Sequence, residues 1–325
     1  MMRAPRQRGA AILTAMLLVT LVAALSAAAL WQQWRTLEVE SAERQRIQAS
    51  WLLQGAADWA RLILREDTRT GTTDHLAEPW AVPLQEAKLS AFLASEGDGA
   101  LDALQAASLS GQIVDLQGRL NLLNLVQEGR AEPATLQTAT RLFEALHLPP
   151  VELQRLVSQL QLALEPPDSA GFARQPHPLL PRSAEQLHWL GLSAPSVRAL
   201  QPYVVLLPER TPLNLNTAAP ALLQASLGVD AAAAQRLVAA RTLNPFRSLA
   251  DVVQAAGVAK LVTLDAQHSV NSRYFEVRAR LRLGTLDTTE RTVVQREGLL
   301  VKPLWKERVA GELSLIHISE PTRLG

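Results

Sequence analysis

The residues best equipped for chemistry are six histidines, and their spacing gives them little to do together. His75, His147, His177, His188, His268 and His317 include no pair at helical ligand spacing, so a zinc site has no support. Asp74 and Glu78 flank His75, but Pro79 follows at once and stops a helix there. No G-x-S-x-G, H-E-x-x-H or phosphate-loop pattern occurs. The chain has no cysteine, which excludes disulfides, thiolate metal sites and thiol catalysis. No catalytic constellation is left, and the reading is of a protein that is not an enzyme. Asn214 and Asn216 flank Leu215 and read as turn residues whose amides satisfy nearby backbone groups. Thr217 is placed to cap a helix beginning near Ala218.

The stretch that invites chemistry from outside is RQRGAAILTAMLLVTLVAALSAAALW, Arg6 to Trp31. Arg3, Arg6 and Arg8 precede Gly9, and Ala10 to Leu30 is a run of 21 uncharged residues. A bilayer core of ~30 Å needs ~20 apolar residues as helix. The basic leader predicts a cytoplasmic N-terminus, and Trp31 and Trp34 mark the far interface. A cleaved secretory signal has a shorter apolar core, although Ala27-Ala28-Ala29 offers a cut site. A plain anchor needs no glycine before the apolar run. A basic leader, a glycine and then an uninterrupted apolar helix resembles the prepilin-like signal, in which a membrane peptidase cuts between residues matching Gly9 and Ala10.

The elements beyond the membrane extend this pattern. From Trp31 to Glu66 there is no proline and a single glycine, Gly55, which predicts one helix from Ala10 to about Glu66. Leu52, Ala56, Trp59 and Ile63 recur at helical spacing and read as its buried stripe. Asp67 to Pro83 reads as loop. GQIVDLQGRLNLLNL, Gly111 to Leu125, alternates like a strand with a central glycine turn. Helical stripes follow at Leu136, Ala139, Phe143 and Leu146, then at Leu153, Leu156, Leu160 and Leu164. Two short helices are expected near Ala184–Trp189 and Ala194–Leu200. From Phe275 to Leu283 the period becomes two, GTLDTT turns the chain, and RTVVQREGLLV returns it as an antiparallel partner with one wet face.

Three motifs carry a family resemblance: Asp115-Leu-Gln-Gly118-Arg119-Leu-Asn121-Leu, Asn214-Leu-Asn216-Thr217-Ala and Asp74-His-Leu-Ala-Glu-Pro-Trp-Ala. In this order, behind that leader, they resemble the type II secretion minor pseudopilin family called protein K, over most of residues 1–305. The first motif lacks the tight N-x-N of the second, so its local turn is expected to differ. Most pilin-like subunits have Glu at the fifth mature position; this chain has Thr14, and that departure is itself a mark of protein K. The resemblance implies an α+β, pilin-like fold with a long N-terminal transmembrane helix, a late antiparallel sheet and a large helical insertion of SAM or helix-hairpin-helix type. The expected divisions are a leader at 1–9, the long helix at 10–66 with 10–30 in the membrane, and a first pilin-like part at 67–125. The helical insertion follows at 126–205, a helix-hairpin-helix-like module at 206–265, the sheet strands at 266–305 and a tail at 306–325.

By the same resemblance the chain is a minor pseudopilin at the tip of the secretion pseudopilus. Its partners are the minor pseudopilins I and J, the prepilin peptidase and the inner-membrane secretion platform. It crosses a bacterial inner membrane once, with a periplasmic C-terminal domain. Structural calcium is implied, but its ligands are not placed by the sequence: Asp265, Asp287 and Glu290 are oxygen donors on offer, no EF-hand spacing is present, and each also reads as a solvated surface acid. A membrane-tethered DNA-binding protein is the alternative, because residues 213–264 resemble helix-hairpin-helix modules. Against it, Asp230 replaces the second turn glycine and no Lys or Arg occurs from Thr211 through Gln235. The net charge of +1 adds no general attraction for nucleic acid. The last twelve residues, SLIHISEPTRLG, resemble a translated sequencing adapter and are assigned no function.

N-terminal sequencing of the membrane-extracted protein is expected to begin at Ala10. A terminus at Leu30 would instead establish secretory cleavage after Ala29.

Overall fold

The computed structural model describes residues 8–89, 107–165, 178–256, 267–284 and 286–310. Helix α1 (Arg8–Thr70) is unbroken over 63 residues, ~95 Å by a rise of ~1.5 Å per residue. It outruns the expected end at Glu66 by one turn. No breaker intervenes, and the Thr68 and Thr70 hydroxyls donate back to the Leu64 and Asp67 carbonyls. From Ala11 to Arg44 the helix is exposed, and its N-terminal part is long and apolar enough to cross a membrane, with a mean hydropathy of 2.4.

The C-terminal part of α1 lies on an antiparallel sheet of β1 (Leu84–Lys88), β2 (Ala107–Asp115), β9 (Tyr274–Leu283), β10 (Leu286–Glu297) and β11 (Leu300–Ala310), ordered β1-β2-β9-β10-β11. Ala49, Leu53, Ala57, Ala60 and Leu64 are the buried face of the helix. Ala60 and Leu64 meet Phe275 and Val277, and Ala49 and Leu53 meet Ala279 and Leu281, the inward-pointing residues of β9. The stripe expected at Leu52, Ala56, Trp59 and Ile63 is off by one residue, or ~100° of helix rotation. Its first, second and fourth members sit at the edge of the seam, while Trp59 is 67% exposed. Three alanines in the true seam let the helix approach the sheet closely, where an indole would hold it away.

The late strands also differ in detail. The turn is tight at Gly284, and β10 starts at Leu286, so most of the residues expected as loop are strand. RTVVQREGLLV is not one strand: Gly298, at φ 57°, divides it between β10 and β11. After β2 the chain leaves this sheet instead of turning straight back into it. It makes β3 (Leu120–Asn121), a 3-10 turn at Leu122–Leu125 and a short antiparallel pair, β4 (Val126–Gln127) and β5 (Arg130–Ala131), and β3 pairs in parallel with β6 (Val204–Val205).

Residues 116–273 therefore cross between two adjacent strands, β2 and β9. They fold as α2 (Pro133–Ala145), α3 (Pro150–Leu164), a 3-10 turn at Ala184–Leu190, α4 (Ala194–Leu200), α5 (Pro220–Leu227), α6 (Ala231–Leu243) and α7 (Leu249–Ala256). The short β7 (Leu213–Asn214) pairs with β8 (His268–Ser269). Leu142, Phe143, Leu156 and Leu160 share one apolar core with Leu215, Leu222 and Leu237. The insertion and the helix-hairpin-helix-like module, separate in the sequence reading, are one packed body.

Leu53→Ala is expected to destabilise the head by about 2–4 kcal/mol, because Leu53 is 1% exposed in the α1–sheet seam. Trp59→Ala is expected to change stability by less than ~0.5 kcal/mol. Denaturant unfolding of the two variants in neutral detergent compares them.

Candidate functional site

Gly9 and Ala10 lie in the first turn of α1, and Thr14 follows one turn later. The Thr14 hydroxyl donates to the Ala11 carbonyl at 3.0 Å. A hydroxyl satisfied within its own helix makes no demand on a neighbour in hydrocarbon. Above the anchor, the face of α1 turned away from the sheet exposes Ile47, Trp51, Trp59 and Leu62.

The second assembly of functional side chains is a buried polar junction where α1 ends. Asn214 is fully buried, and its amide nitrogen donates to the Asp74 carbonyl, the Asp115 carboxylate and the Ser272 hydroxyl at 2.9–3.1 Å. Its oxygen accepts from Asn216 N. One side chain thus joins the loop after α1, the end of β2, the approach to β9 and its own turn. Asp115 also accepts from the Thr217 and Ser272 hydroxyls and from Gln117 N. Thr217 is therefore not the expected helix cap. Its hydroxyl is committed to Asp115, and α5 starts later, at Pro220, with Ala219 in the capping position. Gly118 lies against Thr217: a Cβ there would stand 2.7 Å from its Oγ1. Glycine lets the two motif backbones touch.

The two Asn-Leu motifs use one chemistry twice. Asn121 accepts from Leu123 N as Asn214 accepts from Asn216 N. Asn124 then holds both backbone groups of Thr211, at 2.7 and 3.1 Å. Asn216 holds both of Phe246, at 2.9 and 3.0 Å. The extra leucine in the first motif is absorbed by the 3-10 turn that Asn121 caps. Arg241, buried in α6, donates to the Leu215 carbonyl at 2.6 Å; burial pulls it down to about 10, so it stays charged.

Arg296 of β10 closes the junction. Its guanidinium donates to Asp67 at 2.8 Å, to both Asp74 oxygens at 2.5 and 2.6 Å, and to the Ser272 carbonyl. It also lies 4.8 Å above the Phe275 ring. Glu78 accepts from His75 N and from the Trp80 indole, and Trp80 meets Phe275 edge-on. Burial pushes Asp115 up to about 6 and Glu78 up to about 7, and it raises Asp67. Burial also lowers His75, so that imidazole does not compensate the acids at neutral pH. The sequence reading quoted Asp115 inside a motif without a role and missed Asp67, Ser272 and Arg296. A signal existed for two of them. Asp115 and Arg296 occupy the strand phase of the apolar residues Ile113 and Val294, where a charge must be buried and paired.

Of the acids on offer to calcium, Asp287 and Glu290 are not brought together among the described residues. Asp265 lies outside the described residues. Asp287 is held by Arg280 and Arg282, and Glu290 by Arg308. Three residues apart on one strand, the two acids point to opposite sheet faces. Asp67, Asp74 and Glu78 do converge, but the Arg296 guanidinium already fills the space between the two aspartates. The hairpin α5–α6 is likewise occupied. Asp230 caps α6 by accepting from Ala233 N at 2.6 Å, which places a carboxylate where a phosphate would dock. Its Gly228 turn packs on Arg141 of α2.

Comparison with known proteins gives two family matches, both described as type II secretion system protein K, over residues 118–209 and 213–271. Type II secretion system protein K of Pseudomonas aeruginosa is 29% identical over 299 residues, covering 86% of this chain and 85% of its own length. The Klebsiella pneumoniae protein of the same name is 26% identical, covering 90% and 94%. A solved chain of the GspK-GspI-GspJ complex from enterotoxigenic Escherichia coli shares the fold, with a TM-score of 0.65 at 19% identity, over 83% of this chain and 99% of that one.

Glu78→Gln keeps the acceptor for Trp80 and removes a charge beside two aspartates. Glutamate ionises near 4.5 in the unfolded chain but only near 7 here. Protonated Glu78 therefore stabilises the fold fully below 4.5, and that contribution is lost as the pH rises through about 7. The variant is expected to melt a few degrees above the parent at pH 8.5 and level with it at pH 5, by thermal melts at both pH values.

Proposed function

Because the chain belongs to the type II secretion system protein K family, we propose that it is the minor pseudopilin at the tip of a short periplasmic filament. There it initiates or caps assembly for protein export across the outer membrane. The observation that supports this most directly is the large helical body inserted between β2 and β9, which is the region both family matches cover.

The work is packing rather than bond chemistry. The basic leader keeps the N-terminus in the cytoplasm, the prepilin peptidase cuts after Gly9, and the apolar part of α1 stays in the inner membrane. As the helix enters the filament, its exposed apolar face at Trp51, Trp59 and Leu62 covers neighbouring helices. Burial favours this by about 25 cal/mol for each Å² removed from water. The inserted body adds bulk that leaves no room for a subunit above. Thr14 fits that end position: its hydroxyl is satisfied within α1, whereas a carboxylate there would need a partner in hydrocarbon. By likeness to the solved assembly, the proposed neighbours are the pseudopilins I and J, and the inner-membrane platform drives extension.

Co-expression with the I and J subunits of the same system is expected to yield one ternary complex on size exclusion after affinity capture. A chain that elutes alone at micromolar concentration from both subunits would overturn the tip assignment.

A further inference from the structure

Where the inserted body meets the outer face of the sheet, a cleft of about 240 Å³ opens. Arg119, Arg182, Arg278 and Arg291 line it, against Glu185, Glu276 and Glu307. Two of these acids are already engaged. Buried Glu276 accepts from Arg278 and Arg291, and Glu185 accepts from Arg291 and Gln201. The guanidinium groups of Arg119 and Arg182 make no hydrogen bond or ion pair among the described residues. Arg119 is half-buried, and the surroundings disfavour its charge by desolvation. A partly desolvated arginine fork aimed into a cleft is suited to receive a carboxylate in two parallel hydrogen bonds.

The remaining wall decides what carries that carboxylate. Leu116, Val204, Leu206, Val293 and Trp305 are apolar, so the ligand has an apolar part beside its charge. A lipid headgroup cannot reach. The cleft residues Glu276 and Arg278 flank Val277, which packs with Ala60 of α1. Ala60 stands thirty residues beyond Leu30, where the apolar run ends, ~45 Å of helix. Among the described residues no glycine lines the cleft to wrap a phosphate.

We propose that this cleft is a docking site for an extended acidic and apolar peptide segment of a partner protein, with Arg119 and Arg182 receiving its carboxylate beside the Trp305 wall. The size of the cleft suits one or two residues of such a segment. The Arg291 bridge between Glu276 on the sheet and Glu185 on the inserted body holds both walls in place. Binding by this route weakens with salt, because the rim is open to solvent.

Isothermal titration of the full chain in neutral detergent tests this, with acetyl-Leu-Glu-Val-Glu-amide as probe. The glutamine counterpart acetyl-Leu-Gln-Val-Gln-amide and inorganic phosphate are the comparisons. The acidic peptide is expected to bind, and the neutral one to bind about tenfold more weakly or not at all. Arg119→Gln and Arg182→Gln are each expected to weaken binding about fivefold or more, and Arg236→Gln, on the exposed side of α6, to leave it unchanged. Arg182 is exposed, so its variant decides the matter if Arg119→Gln does not fold by circular dichroism. No binding, equal binding of the neutral peptide, or displacement of the peptide by an equal concentration of phosphate would each overturn the proposal. So would binding unaffected by either substitution.

Discussion

The pairing of Asp74 with Arg296 is the interaction on which the head depends. Three acids, Asp67, Asp74 and Glu78, converge at the end of α1, and burying such a group uncompensated is prohibitive. One guanidinium reaches two of them at once and also takes the Ser272 carbonyl. That places the end of α1, the loop after it, β10 and the approach to β9 in a single geometry. Removing the arginine would leave buried anions, a larger loss than any one hydrogen bond contributes.

Around that pair, asparagine does the joining. The chain leaves the sheet at Asp115 and returns at Tyr274, and a loop that long closes at a large entropic cost. Asn214 is placed at the closure. It touches the departing strand through Asp115 and the returning segment through Ser272, so exit and entry are held by one amide. An amide offers donors and an acceptor without charge, which suits a site already crowded with carboxylates. The two-handed grip of Asn124 on Thr211 and of Asn216 on Phe246 repeats the device at a smaller scale.

The anchor follows a different logic. α1 has two apolar faces on one rod: a seam rich in alanine that accepts the sheet, and an outer face with tryptophans that is exposed. The first sets the fold of the head. The second is apolar surface left exposed, and the mixed charges between Thr36 and Gln48 solvate the stretch of helix that follows the apolar run.

Much of this was legible in the sequence, because local physics wrote it. An uninterrupted run of 21 uncharged residues is long enough to span a bilayer as a helix, and period-two alternation from Phe275 to Leu283 left one strand reading. The helices ending at Ala145 and starting at Pro150 were announced by their stripes and by Pro149-Pro150. What tertiary structure alone decided are the matters that depend on partners far along the chain. The buried face of α1 moved by one residue because the sheet selects alanines for close approach, a property no helical periodicity contains. Thr217 gave up a cap it could have made because Asp115, 102 residues away, needed its hydroxyl more. Asp115 and Arg296 sat in apolar strand phase, which signals burial, but which groups they would meet was set only when β2 and β9 came together across residues 116–273. Sequence fixes the spacing of groups along the chain; the energy of a buried charge depends on its neighbours in space, and those exist only in the folded protein.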